Sequence, residues 1–143
     1  MKVIKKIGLA IIKNGKILLV RNMGTEKFLM PGGRVESDET DIQTLKREIM
    51  EELSVELHEN TIKFIGIYED VAANDPDSIV QIKLYTGEIM GQIKINNEIE
   101  EMRWFNPNID DHSILSVIIK NKILPSIISK IIEDDKNPTN FKI

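Results

Sequence analysis

The feature that most constrains the fold of this chain is a glycine-punctuated loop leading into one amphipathic helix. Pro31-Gly32-Gly33 interrupts the preceding strands, and Thr40 with Gln43 three residues later matches a capping box. We predict a helix from about Asp41 to Leu53. Its apolar residues recur at intervals of three, four and four, which gives one stripe that must face a core: Ile42, Leu45, Ile49 and Leu53.

Strand-like runs lie on both sides of this helix. Residues 3–12 are apolar, and Asn14-Gly15 separates them from the apolar run 17–20, which predicts a hairpin because both turn residues tolerate positive φ. Further strand-like runs follow the helix at residues 62–71, 79–90, 92–95 and 101–106. A second helical region, 112–132, is interrupted at Pro125, where a helix must break, kink or restart. This order predicts an α+β fold with a mixed sheet covered by helices.

Composition narrows the kind of protein. The 143 residues, 41% hydrophobic and 29% charged, predict one domain over residues 1–133 and a loosely ordered tail at 134–143. The absence of cysteine excludes disulfides, thiolate zinc sites and thiol catalysis. No apolar run is long enough to span a membrane, and the N-terminal apolar stretch lacks a cleavage site, so we expect a cytoplasmic protein. A net charge of -4 argues against binding to a nucleic-acid backbone.

Three carboxylates share one face of the predicted helix. Glu48, Glu51 and Glu52 lie at offsets of three and four, so they occupy one arc of the helix about 100° wide. Carboxylates this close resist ionising together unless a cation lies between them, which favours a site for Mg²⁺ or Mn²⁺ with oxygen ligands. The alternative from these residues alone is a solvated acidic face paired with Lys46 and Arg47.

The longer pattern around these glutamates separates the two interpretations. After Gly33, five residues precede Glu39 and seven more precede Arg47. The stretch that begins at Arg47 reads REIMEELSV. This 23-residue stretch resembles the Nudix box, written G-x5-E-x7-R-E-U-x-E-E-x-G-U with U aliphatic. Two positions depart from the usual pattern, because Ser54 stands in place of the final glycine and Asp38 in place of a glycine often found before Glu39. A left-handed φ at Ser54 would cost about 1 kcal/mol.

The resemblance implies a fold, a cofactor and a set of site residues. The fold is an α/β/α sandwich in which the box forms a loop-helix-loop. The cofactor is Mg²⁺ (or Mn²⁺), which neutralises the substrate diphosphate and activates the attacking water. The implied metal ligands are Glu48, Glu51 and Glu52, and the implied catalytic residues are Glu48, Glu52, Arg47 and Glu98.

Residues outside the helix complete the predicted site. Arg47 is placed to pair with its i+4 neighbour Glu51 and to orient carboxylates, and Glu39 is expected to fix the loop. Gly32 and Gly33 are expected to let backbone approach substrate phosphates, and Arg21 is expected to contact a phosphate. Among the glutamates after the helix, we favour Glu98 over Glu100 and Glu101, because it precedes the strand and can reach toward another element.

The resemblance implies hydrolysis of a nucleoside diphosphate linked to a further group. Our first choice is a MutT-like (d)NTP pyrophosphohydrolase that releases a nucleoside monophosphate and pyrophosphate. ADP-ribose or another nucleoside diphosphate derivative is the second choice, and a catalytically silent nucleotide-binding module is the alternative of another class. The expected partner is a small-molecule nucleotide, with no membrane and no duplex nucleic acid, and a homodimer is left open.

Overall fold

The computed structural model describes residues 2–73, 75–96 and 98–136, and within them it has seven strands and two α-helices. Residues 137–143 of the predicted tail lie outside the described residues. The elements are β1 Lys2–Ala10, β2 Ile12–Lys13, β3 Lys16–Asn22, β4 Gly32–Gly33, α1 Asp41–Leu53, β5 Glu56–Ala72, β6 Asp75–Met90, β7 Ile99–Phe105 and α2 Leu124–Lys136, with a 3₁₀ turn at His112–Ile114 and a π-helix at Ile119–Ile123.

The strands form two sheets. The larger sheet has the order β4-β1-β6-β5, in which β1 runs parallel to β6 while the other neighbours are antiparallel. The smaller sheet, β2-β3-β7, is antiparallel. The predicted mixed sheet is therefore confirmed, with a second sheet beside it. The predicted hairpin is also confirmed, since Asn14 and Gly15 both have positive φ, at 53° and 75°.

Helices cover opposite faces of the sheets. Ile17 and Leu19 of β3 belong to one apolar cluster that includes Ile127 of α2. The alternate residues Leu18 and Val20 belong to a second cluster that includes residues of α1: Leu45, Ile49 and Leu53. Because successive strand residues point to opposite faces, one strand connects the two layers. This arrangement confirms the α+β class and the helix, sheet, helix layering.

Helix α1 begins and ends at the predicted residues. The Thr40 side chain accepts a hydrogen bond from the Gln43 backbone N–H, and the Gln43 side chain accepts one from the Thr40 N–H, so the capping box is complete. Leu45, Ile49 and Leu53 are fully buried, whereas Ile42 is only partly buried. Burial of each such side chain stabilises the fold by about 1.5–3 kcal/mol. The helix is thus held rigidly against the sheet.

Ser54 and Asp38, which stand where the box usually has glycine, both keep a glycine-like backbone conformation. Ser54 caps the C-terminus of α1 with φ 60° and ψ 33°, and Asp38 has φ 68°. The left-handed conformation lets the Ser54 N–H donate to the Met50 carbonyl oxygen at 3.1 Å. The backbone geometry is therefore retained despite the Cβ atoms.

The predicted strand at 92–95 is wrong. This segment runs beside the end of α1, where Lys94 N–H donates to the Leu53 carbonyl at 2.9 Å and Asn96 N–H donates to the Glu52 carbonyl at 3.1 Å. Its backbone groups satisfy carbonyls that the helix itself leaves unpaired, so they do not join a ladder.

The C-terminal helical region also differs in detail from the prediction. The π-helix ends at Ile123, directly before α2, and Pro125 is the second residue of α2, so the helical run continues through the proline with a π-helical turn before it. Residues 134–136, predicted to begin the tail, belong to α2, and Asp134 Oδ2 accepts a hydrogen bond from the Gly15 N–H at 3.1 Å. Within the part of the chain described, no helix is both long and apolar enough to cross a membrane.

We predict that Ser54→Gly will be more stable than Ser54→Ala by about 1 kcal/mol, because only glycine adopts left-handed φ without a Cβ penalty. Urea denaturation of both variants measures the difference. The control pair is Met50→Gly and Met50→Ala at an exposed position inside α1, where the order should reverse. Equal stability of the two Ser54 variants would contradict the strained C-cap.

Candidate functional site

A charged cavity of about 360 Å³ lies where α1 faces β1 and β4. Its charged lining residues come from four parts of the chain: Lys6, Arg34, Glu36, Arg47, Glu48, Glu52 and Glu98. Two of the three predicted metal ligands and the favoured outside glutamate therefore line one cavity. Glu51 does not line this cavity. Its side chain is 45% exposed, and its carboxylate oxygen lies 3.6 Å from an Arg47 guanidinium nitrogen.

Two glycines allow this cavity to form. Gly32 has φ 143°, and a Cβ there would collide with the carbonyl oxygen of Ile7 on the adjacent strand. At Gly33, a Cβ would occupy the space of the Glu48 carboxylate. The sequence predicted that these glycines admit substrate phosphates. The structure adds a local reason, because without them β4 could not pack this closely against β1 and α1.

Glu52 carries the most perturbed carboxyl group of the site. It is 7% exposed, and in the described residues no lysine, arginine or histidine nitrogen lies within 4.0 Å of it. Burial, and then the neighbouring Glu48 carboxyl group, raise the pKa of Glu52 far above its usual range, although the Gly32 N–H donates to it at 3.3 Å. A buried acid next to a second acid needs either a proton or a cation.

The chemistry of this pair fits a hard divalent cation. Glu48 and Glu52 supply carboxylate oxygens, the ligand type that Mg²⁺ and Mn²⁺ prefer. The three helix glutamates do not already converge, since no group of three or more His, Cys, Asp or Glu in the described ranges is placed to hold a metal ion. Bringing Glu51 or Glu98 into a ligand set with this pair therefore requires side-chain rotation.

Arg47 holds the carboxylates in place. Its guanidinium donates two hydrogen bonds to Glu39, at 2.7 and 3.0 Å, and one to Glu48 at 2.7 Å. The bond from Arg47 lowers the pKa of Glu39 to about 2, so Glu39 remains ionised. Glu39 also accepts from the Thr44 hydroxyl at 2.9 Å, which joins the loop to the helix. This geometry matches the loop-fixing role expected for Glu39, and the Glu51 contact expected for Arg47 is the longest of its ion pairs.

Arg21 lies outside the cavity. Its guanidinium pairs with Glu100 and Glu101, each at 3.1 Å, and donates to the Thr25 carbonyl at 2.8 Å. Val20 and Asn22, its neighbours on β3, line the cavity instead. The phosphate contact predicted for Arg21 therefore stays a prediction without support from this geometry. The carboxylates of Glu100 and Glu101 are engaged in these ion pairs, whereas Glu98 lines the cavity.

The sequence interpretation missed two cations that line the cavity, Lys6 and Arg34. Lys6 lies on β1, two residues before Gly8, and both residues line the cavity. A charged residue two positions before a buried glycine, and therefore on the same face of the strand, was the available signal. Arg34 directly follows the glycine pair, within the loop of the box.

A second, mostly apolar cavity of about 170 Å³ adjoins the first. It shares Lys6, Leu29, Met30 and Ile82 with the charged cavity and extends toward Ser116. The Ser116 hydroxyl is buried and has no hydrogen-bond partner in the described structure. The two cavities together form a cleft that is charged at one end and apolar at the other.

Comparisons with known proteins place these features in a family. The NUDIX domain model matches residues 5–112. The crystal structure of a UDP-X diphosphatase superposes with a TM-score of 0.70 at 17% identity, covering 93% of this chain and 64% of that one. This chain thus spans less than two thirds of that relative's length.

Two further solved structures have similar folds. The solution structure of the E. coli ORF135 protein has a TM-score of 0.58 at 26% identity, covering 76% of each chain. The crystal structure of a MutT protein from Methanosarcina mazei Go1 has a TM-score of 0.67 at 18% identity, covering 94% of this chain and 96% of that one. No curated protein gives a significant sequence match.

We predict that Glu52→Gln will stabilise the metal-free protein above roughly pH 4.3, the ordinary pKa of a glutamate. The folded-state pKa of Glu52 is raised to about 9, so between the ordinary glutamate pKa and this value the native state binds more protons than the unfolded state. The stability of the wild type therefore falls as the pH rises through this range. Thermal unfolding with a chelator, from pH 5 to pH 8, should show the advantage of Glu52→Gln growing with pH. Glu56→Gln, at an exposed position on β5, is the control.

Addition of Mg²⁺ should reverse this order. A cation at about 100 times its dissociation constant stabilises the wild type by about 2.7 kcal/mol, and Glu52→Gln should gain much less. An identical response of wild type and Glu52→Gln to both pH and Mg²⁺ would show that Glu52 is not a cation ligand.

Proposed function

Because the chain belongs to the Nudix family of hydrolases, which act on pyrophosphate bonds, we propose that its substrate is a ribo- or deoxyribonucleoside triphosphate. The products are a nucleoside monophosphate and pyrophosphate. The observation that carries this proposal is the pair of a partly buried Glu48 and a buried Glu52, which lines a charged cavity adjoining an apolar one.

The charged end of the cleft suits a diphosphate bound with cations. Glu48 and Glu52 would hold a divalent cation, with Glu51 or Glu98 rotating toward them. When bound, the cation neutralises phosphate oxygens and increases the acidity of a coordinated water. The protein's own part is to hold these carboxylates in place, and Arg47 does so for Glu48 through the 2.7 Å hydrogen bond.

The apolar end of the cleft suits a nucleoside. Ile4, Val80 and Ile118 offer apolar surface against which a planar base can pack, and the unpaired Ser116 hydroxyl offers one hydrogen bond to its polar edge. A buried hydroxyl without a partner is unfavourable in the empty protein, so a ligand that pairs with it gains affinity. This supports a nucleoside at the far end of the diphosphate.

The test is a substrate panel with the purified protein in Mg²⁺ and in Mn²⁺. It contains the ribo- and deoxyribonucleoside triphosphates, ADP-ribose and nucleotide sugars, with products separated by chromatography. We expect a triphosphate to give monophosphate and pyrophosphate. Turnover of ADP-ribose or a nucleotide sugar alone would replace the substrate class, and tight binding without turnover of any member would indicate a silent binding module.

Within this panel, we predict that Glu48→Gln and Glu52→Gln will each lower kcat at least about 10²-fold, because each removes a charge that stabilises the transition state through the cation. Circular dichroism checks that both variants fold. Near-normal turnover of either variant at saturating Mg²⁺ would remove that residue from the catalytic set.

The outside glutamate is tested separately. We predict that Glu98→Gln will need markedly more Mg²⁺ for half-maximal rate or will turn over slowly, since Glu98 faces the cavity that holds Glu48 and Glu52. Glu100→Gln is the matched control, because Glu100 is bound to Arg21 outside the cavity. If Glu98→Gln has the rate and Mg²⁺ dependence of the wild type while Glu100→Gln is impaired, the role belongs to Glu100 instead.

A further inference from the structure

Lys6 lies at the junction of the two cavities. It lines both the charged cavity and the apolar one, and its side chain is partly buried on β1 opposite Ile82 of β6. A molecule that spans both cavities would therefore lie alongside the Lys6 side chain.

The Lys6 side-chain nitrogen has no ion-pair or hydrogen-bond partner in the described part of the chain. No carboxylate lies within 4.0 Å of it there, and none of the hydrogen bonds found there involves it. Burial and the nearby Arg34 lower the pKa of Lys6, whereas the charges of Glu52, Glu48 and Glu98 act in the opposite direction. A partly desolvated ammonium group without a hydrogen-bonded anion destabilises the folded protein. A structural role therefore does not explain a lysine at this position.

The neighbouring Lys5 behaves as an ordinary surface lysine. It is exposed and points to the other face of β1, because successive strand residues alternate. The contrast shows that the position of Lys6, and not the basic composition of this strand, brings a cation into the cleft. Lys5 is thus a matched control on the same strand.

We propose that Lys6 binds the phosphate group nearest the nucleoside and so makes the cleft selective for ligands with an anion at that position. The inference rests on the proposed function. Phosphates at the glutamate end are neutralised by divalent cations, and the apolar end holds an uncharged group. Between the two ends, Lys6 is the described cationic residue that lines both cavities. A hydrogen bond from an ammonium to a phosphate oxygen is a strong, charge-assisted one.

The first experiment measures binding without requiring turnover. ADP, GDP, UDP and the matching nucleosides are titrated, with Mg²⁺ present, into the wild type, Lys6→Met and Lys5→Met. For the nucleoside diphosphate that binds wild type best, we expect Lys6→Met to weaken affinity at least about tenfold. Lys5→Met should match wild type, and the parent nucleoside should bind all three proteins alike.

The second readout separates substrate binding from a structural role. Removing an unpaired, partly buried charge should leave the ligand-free melting temperature of Lys6→Met equal to that of wild type or higher, while the rise in melting temperature on adding the diphosphate shrinks. Lys6→Gln is measured in parallel and should behave in the same way, so the test does not depend on one variant folding.

Three results would overturn the proposal. Lys6→Met could bind the diphosphate as wild type does, it could lose diphosphate and nucleoside affinity equally, or wild type could bind none of the diphosphates. Diphosphate binding that depends on Lys6, without turnover of any triphosphate, would instead overturn the proposed hydrolysis and leave this inference standing.

Discussion

Two carboxylates held together in the last turns of a helix are the constraint on which the site depends. Glu48 and Glu52 lie one turn apart near the C-terminal end of α1, where the helix dipole already disfavours negative charge, and no basic residue lies in the last turn. Glu52 is buried there and accepts a hydrogen bond from the Gly32 N–H. The fold holds this unfavourable pair because Leu45, Ile49 and Leu53 of α1 are fully buried against the sheet.

The surrounding residues act mainly to keep this pair in position. Arg47 is bound to Glu39 in the loop and to Glu48 on the helix, so one side chain fixes the loop against the carboxylates. The glycines of β4 allow the strand to approach the Glu48 carboxylate so closely that any side chain at Gly33 would displace it. A cation bound by this pair would therefore not spend its binding energy on ordering the helix or the loop. Only the side chain of Glu51 or Glu98 would have to rotate toward it.

The sequence predicted the parts of this structure whose causes are local. The limits of α1 follow from the capping box at Thr40 and the apolar stripe, which are properties of neighbouring residues. The segment 92–95 could not be predicted in the same way, because its partners are carbonyl groups at the end of α1, about forty residues earlier. Lys6 was missed, and the phosphate contact predicted for Arg21 gains no support from the structure, for a related reason. The face of a strand that meets the cavity depends on the sheet order, which pairs β1 with β6 across more than seventy residues.

The hydrogen bonds from Lys94 and Asn96 to the end of α1 have a mechanical consequence for the segment that leads to Glu98. They fasten this segment to the carbonyls of Leu53 and Glu52, so the connection from β6 to β7 is anchored on the helix that carries the acidic pair. On the far side, the Met23 N–H donates to the Glu98 carbonyl at 2.9 Å, which fastens the same stretch to the loop after β3. The backbone of Glu98 is therefore fixed at its own carbonyl, and its carboxylate can swing only as far as one side chain reaches. An insertion before Gln92 would be absorbed upstream of the anchor on α1 and would leave Glu98 in place.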